Sequence, residues 1–375
     1  MKVSVLCFDL ADNALGRAEL LARLLAPRYD VDVVGPQFED TLWRPVAESQ
    51  IPHRGVRARR YPGFARIVPE LLRLVDGDVI YASKPRPTSF GLGLLARARR
   101  RRPLILDVDD WELGFLYRSS RWGRLGRALN LGNPNGLTWT WLTERRVPAA
   151  DALTVASRFL QHRFGGVFVP HVRDTVAWDP ARYDRAASRA RLGVGDDRVV
   201  MFLGTPRGYK GLDDLVQAVG QLDAHVVLAL VGVDPGSGWG ARYAASPRIR
   251  IVGQIPFDDV PRFLAAADIV AVPQRATSDT VGQVPAKLVD AMAMARPIVA
   301  TAVSMIPEML EGCGVVVPPE DPSALAKAIG GLLADPSRAD DLGRQARQRC
   351  IAQYSFTSAR ATLFPLIEAL ASRSS

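Results

Sequence analysis

The chain has 375 residues, 48% of them hydrophobic and 23% charged, which is long enough for two domains with separate cores and too apolar for a disordered polymer. Its formal net charge of +9 is confined to one half: residues 1–175 hold 27 Lys and Arg against 18 Asp and Glu, while residues 176–375 hold 21 of each. A basic half points to an anionic partner, whether lipid headgroups, a polyanionic acceptor or nucleic acid; an arginine-biased composition that only keeps the chain soluble is the plain alternative.

The first residues, MKVSVLCFDLADN, have neither the apolar core nor the cleavage site of a signal peptide and read as a first β-strand. No apolar run approaches the roughly 18–20 residues that a bilayer span needs. Cys7, Cys313 and Cys350 are odd in number and far apart, and the four histidines are scattered. The expectation is a reduced, cytoplasmic compartment, with neither a disulfide framework nor a metal site.

Short β-rich runs then alternate with helix-period segments. In the first half the predicted strands are 3–8, 31–35, 78–83, 104–110 and 152–157, with helical patterns at 18–29 and 90–102. In the second half they are 198–204, 225–232, 248–255, 268–273, 297–302 and 314–318. Unbroken apolar strands separated by helices mean parallel sheets covered on both faces. The fold class is therefore α/β: two Rossmann-like domains facing a central cleft, over 1–175 and 176–355. The rhythm breaks near 171–190. The tail 356–375 opens with an amphipathic helix containing Pro365 and is expected to pack back toward the N-terminal domain.

In the first half, LDVDDWELGF (106–115) crowds Asp107, Asp109 and Asp110 at the carboxyl end of a strand. Like charges repel, which raises the proton affinity of at least one of them. Parallel sheets bind ligands at that edge, so Asp109 and Asp110 are candidates for orienting a substrate or assisting as base. A metal-binding DxD and a helix-capping acid cluster are the other two readings. The stretch 111–146 mixes Trp111, Trp122, Trp139 and Trp141 with Arg124, Arg127, Arg145 and Arg146, as an interfacial segment does. Basic runs at 53–66 and 96–102 extend the same face toward an anionic membrane, and a packed insertion with a solvated rim is the alternative.

In the second half, FLGTPRGYKGLDDLVQAV (202–219) is a strand, a basic loop and a helix opening after Lys210-Gly211. VGQIPFDDVPRFLAAADIVAVP (252–273) places Gly253 at a strand end, and VPAKLVDAMAMARPIVAT (284–301) sets a proline, a lysine and an acid together. With VDVVG, ADALTVAS and VPHVRDT, these stretches resemble GT-B-fold retaining glycosyltransferases of family 4 (glycosyl transferases group 1). The resemblance covers most of the chain and is weakest inside the first half. It implies transfer of a sugar from a nucleotide-sugar donor, UDP- or GDP-linked, to a glycan or lipid-linked acceptor of the cell envelope. It also implies retention, no metal, no cofactor, no nucleic acid, and work at the inner face of the plasma membrane.

A departing nucleoside diphosphate needs cations where its charge grows. The resemblance puts Lys210 on that diphosphate, and a lysine stands out in a chain with 43 arginines and five lysines. The family's arginine after the strand glycine is Thr205 here, with Arg207 as its replacement two residues on. Asp290 falls on the second glutamate of the paired-acid motif, which grips the ribose diol. The first, which contacts the transferred sugar, falls on Gly282, with Asp279 upstream as substitute. The helix opening near Ala286 offers a second phosphate seat, and Lys287 either serves the phosphates or shapes that turn. Gln254 and Ile255 would hold the base, and Gly16 would let the first domain's backbone approach the diphosphate. The changes at 205 and 282 leave a second class open, a nucleotide-sugar-binding protein that has lost transfer. GVDPGSGWG (232–240) lacks the GxGxxG spacing of a dinucleotide oxidoreductase.

Overall fold

The structure is a computed structural model that describes residues 1–117, 121–278 and 280–372. It divides into two compact units, Met1–Pro170 with Ala359–Ser375, and His171–Ser358, a few residues from the expected boundaries. The first unit holds a seven-stranded sheet of β1 (Lys2–Leu6), β2 (Asp30–Gln37), β3 (His53–Arg57), β4 (Val79–Ser83), β5 (Leu104–Val108), β6 (Ala152–Val155) and β7 (Val167–Phe168), in the order β3-β2-β1-β4-β5-β6-β7. The second holds six strands, β8 (Arg198–Leu203), β9 (Val226–Val231), β10 (Ile249–Val252), β11 (Ile269–Val272), β12 (Ile298–Thr301) and β13 (Val315–Val317), in the order β10-β9-β8-β11-β12-β13.

The pairings within both sheets are parallel: Val3 lies opposite Val31 and Val79, and Val200 opposite Leu228 and Ile269. Parallel neighbours need crossover connections, and helices supply most of them. Strands covered on both faces must be apolar throughout, which is why β9, VVLALV, is buried at every position.

The edge strands lack that signature, and β10, IRIV, is only half-buried at every position. β3, HRGVR, buries only Val56, and β7 is two residues long. The basic run 53–66 begins as an edge strand and ends in the helix Gly63–Leu74. Arg54 on β3 pairs with Asp32 at 2.7 Å and Asp76 at 2.9 Å, and a charged edge of this kind resists pairing with another chain.

The helix Phe356–Ser372 continues through Pro365. Leu363 and Ile367 are fully buried, Arg360 donates to Leu24 O at 3.0 Å, and Phe364 meets Tyr29 edge-on. Residues 359 onward therefore complete the first unit.

An open parallel sheet offers its ligand crevice at the carboxyl ends of strands where strand order reverses. That point lies between β1 and β4 in the first unit and between β8 and β11 in the second. Among the described residues no helix is long and apolar enough to cross a membrane.

Candidate functional site

In the second unit the loops after β8 and β11 run side by side. Arg275 N–H donates to Tyr209 O at 2.8 Å, and its guanidinium grips Asp214 through bonds of 2.7 and 2.6 Å. Gly211 permits the approach: its φ is +64°, and a Cβ there would lie 1.8 Å from Pro273 O. Lys210, just before it, donates from Nζ to Thr205 O at 2.7 Å. Lys287, second in the helix Ala286–Ala293, reaches the same loop, with Nζ 3.9 Å from the Phe202 ring centre and beside Gly204. Burial and the Lys210 ammonium lower the Lys287 pKa well below its ordinary value, against the pull of Asp290. Two amines thus meet at the switch point of the sheet, where an anion would relieve their repulsion.

Asp290, one turn along that helix, is buried, and burial raises its pKa against the opposing charge of Arg173. Arg173 donates from Nε to Asp290 Oδ1. No hydrogen bond to Oδ2 is present among the described residues. Sequence reasoning passed over Arg173, although it lies in VPHVRDT. Gln274, also missed, lies two residues past β11, buried and with no acceptor for Nε2 among the described residues, an orphaned donor at the carboxyl edge of the sheet.

The other candidates are spread around this centre. Arg207 is exposed at the head of the turn Gly208–Lys210. Gln254 and Ile255 follow β10, where Gly232 N–H donates to Val252 O at 2.9 Å and ties the ends of β9 and β10 together. Gly282 is buried ahead of the helix that carries Lys287, in a loop organised by Thr280, whose Oγ1 donates to Arg275 O at 2.8 Å. Asp279 lies outside the described residues.

The first unit sorts its carboxylates into two groups. Asp107 is bound by Arg17 through two bonds of 2.9 and 2.8 Å, and both side chains are shut off from solvent. Asp109, Asp110 and Glu112 surround one ammonium: Lys84 Nζ lies 3.0, 2.9 and 3.0 Å from their oxygens. Arg86 adds a second cation on Glu112 and reaches Thr140 Oγ1 at 3.0 Å. Burial, joined by Asp110 and Asp107, pushes the Asp109 pKa up to about 7. Burial opposes the charge on Glu112, but Arg86 and Lys84 outweigh it and bring its pKa down to about 2. The metal-binding and capping readings therefore meet carboxylates that already have side-chain cations.

Lys84, Arg86, Arg17 and Glu112 were not singled out by the sequence, although Lys84 carries the signal used for Lys210, a rare lysine among arginines. Gly16 lies in the first turn of the helix Leu15–Leu25, where a Cβ would meet the Trp43 indole at 3.0 Å. The basic run 96–102 lies at the amino ends of β5 and β6. There Arg97, Arg101, Arg102 and Asp151 wall a cavity of about 530 Å³ with Pro103 and Leu370.

Two parallel α/β units of this kind are the GT-B glycosyltransferase architecture, and solved structures share it. Sucrose-phosphate synthase from Thermosynechococcus elongatus has a TM-score of 0.73 at 20% identity, covering 99% of each chain. Anabaena HepE, solved in complex with UDP and glucose, has a TM-score of 0.75 at 20% identity, covering 98% of this chain and 100% of that one. Residues 197–335 match the family described as Glycosyl transferases group 1. The GDP-mannose-dependent alpha-(1-6)-phosphatidylinositol monomannoside mannosyltransferase of Mycolicibacterium smegmatis is 32% identical over 326 residues, which span 82% of this chain and 80% of that protein. The chain belongs to the glycosyl transferases of group 1 and is a glycosyltransferase.

Proposed function

We propose that the second unit binds the nucleoside diphosphate of a sugar donor and that the first unit receives the acceptor. The observation that carries this reading is the convergence of Lys210 and Lys287 beside Gly204 at the switch point of the second sheet. The two lysines, with Arg207 at the rim, take the growing negative charge of the departing diphosphate. Asp290 offers Oδ2 to the ribose diol, Gln254 and Ile255 flank the base, and Gln274 supplies an amide donor to the donor's polar groups. Gly282 presents no side chain to the transferred sugar, which leaves that contact to Asp279.

Transfer occurs with retention, by departure and attack on the same face, and without metal. Arg17, Lys84 and Arg86 already balance the carboxylates of residues 107–112, so neutralising the diphosphate falls to the lysines. Asp109, poised with a pKa of about 7, accepts the proton of the acceptor hydroxyl. The Anabaena structure contains UDP and the mycobacterial relative is named for GDP-mannose, which supports a UDP- or GDP-linked donor. The same relative acts on a phosphatidylinositol monomannoside, which supports an amphiphilic acceptor.

The helix Arg121–Leu129 supports a lipid-facing role at the inner face of the plasma membrane. Trp122, Leu125 and Leu129 are 82%, 51% and 71% exposed at a spacing that puts them on one face, and Arg124 and Arg127 are exposed beside them. The protein is expected to sediment with vesicles containing anionic lipid at low salt and to stay in solution with neutral ones. Trp122→Ser with Leu129→Ser should lower the bound fraction severalfold. Equal sedimentation of that variant would remove the helix from the membrane face.

Thermal denaturation with UDP, GDP, ADP and their sugars tests the donor assignment. One nucleotide should raise Tm by several degrees, since ligand at 100 times Kd adds about 2.7 kcal/mol. No shift with any of them sinks the assignment. A shift without sugar transfer to any glycan or glycolipid acceptor favours the binding-only reading that Thr205 and Gly282 raise.

A further inference from the structure

The chain passes between its units twice, at 170/171 and at 358/359. In the second unit the two passages are joined at Arg173. Its N–H donates to Tyr354 O at 2.9 Å, its carbonyl accepts from Phe356 N at 2.9 Å, and residues 173 and 355 form a parallel bridge. Its side chain, in a residue only 4% exposed, turns to Asp290 instead. Nη1 donates to Val172 O at 2.7 Å, and the guanidinium lies 5.4 and 5.0 Å from the Trp178 and Phe257 ring centres. In the first unit Arg17 holds Asp107 while donating to Val169 O at 2.7 Å and Pro170 O at 3.1 Å. The segment 169–173 is therefore gripped at both ends by buried arginine–aspartate pairs.

We propose that Arg173 is a positioning residue of the donor pocket: it fixes Asp290 Oδ1, leaves Oδ2 for the ribose diol, and makes donor occupancy felt at both chain passages. This rests on the donor assignment of the second unit. The guanidinium suits the task because one planar group bonds a carboxylate edge-on and stacks on aromatic faces at once, whereas an ammonium bonds but cannot stack. Without it, a buried carboxylate has lost its counter-ion and takes up a proton more readily, and a protonated acid accepts the diol's hydrogen bonds poorly. A purely structural pair behaves differently: breaking it lowers stability and leaves nucleotide affinity and its pH dependence unchanged.

The test compares wild type with R173M, R173K and D290N, using the nucleoside diphosphate that stabilises the wild-type protein. Between pH 8 and pH 6, R173M should lose severalfold more affinity than wild type, because without the guanidinium the Asp290 carboxyl takes up its proton at a higher pH. R173K, which restores the charge, should recover most of that pH effect. In wild type the saturating nucleotide should slow hydrogen exchange in peptides spanning 169–175 and 352–358, and D290N should lose that slowing. If wild type binds the nucleotide and R173M binds it with the same affinity and pH profile, the role of Arg173 is overturned while the donor assignment stands. If wild type binds none, the donor assignment fails and takes this role with it. Should R173M not fold, exchange decides: nucleotide protection at 352–358 that persists in D290N overturns the proposal.

Discussion

Replacing Lys84 with methionine is expected to cost about 3–5 kcal/mol of stability, the range seen when a buried ion pair loses one partner. Lys84 is 6% exposed, and its ammonium is the shared cation of Asp109, Asp110 and Glu112. Those three carboxylates hold its own pKa well above the ordinary value although burial works the other way. Methionine keeps most of the volume and removes the charge, so the loss is electrostatic. Asp109, whose folded-state pKa is already raised by burial, loses the cation that opposed that rise. Its contribution to stability is therefore best at low pH and is lost as pH rises through the raised value. Urea denaturation should show a deficit that shrinks from pH 8 to pH 5, and K84M with D110N should recover part of it. A deficit below about 1 kcal/mol, or one independent of pH, would mean that the cluster is solvated and Lys84 dispensable.

Lys210→Ala should lower kcat/KM for the nucleotide-sugar donor by about 10²–10³, the loss typical of one group aimed at developing charge. Lys287→Met should do less to turnover and more to proton linkage. Since the Lys287 pKa is lowered in the free protein, a bound diphosphate raises it again and the complex takes up a proton. Affinity should accordingly fall as pH rises through the lowered value. Calorimetry in buffers of different ionisation heat reads this uptake directly. It should vanish in K287M, and equal uptake in wild type and K287M would move the linkage to another group.

Much of the fold was legible because buried parallel strands have nowhere to place a polar side chain. RVVMFL and VVLALV leave no other interpretation, and the first of them borders the switch point where the candidate site lies. The edge strand HRGVR was illegible for the opposite reason, since its arginines face solvent and ion-pair partners and break the apolar run. Lys210 and Lys287 stood out as candidates because each sits beside a local marker, a glycine or a helix start, whereas Asp290 was a candidate only through the resemblance to the family's second glutamate. The cations that set the chemistry of the acids did not stand out. Arg17 meets Asp107 across 90 residues and Arg173 meets Asp290 across 117, and no spacing rule reaches that far. The crowding of Asp109 was readable from DVDD, but its chief cause, burial, became visible only with the packed structure.

The first unit is interrupted in the chain, because residues 359 onward, with Leu363 and Ile367 in its core, follow the whole of the second unit. A ribosome must therefore make the second unit before the first can close. At about 5–20 residues per second, the groove that will receive Leu363 waits on the order of 10–40 s with its apolar wall open to water. Apolar surface left open in this way is what chaperones bind, and a premature stop near residue 358 leaves an N-terminal unit that is fully translated up to Pro170 yet unfinished.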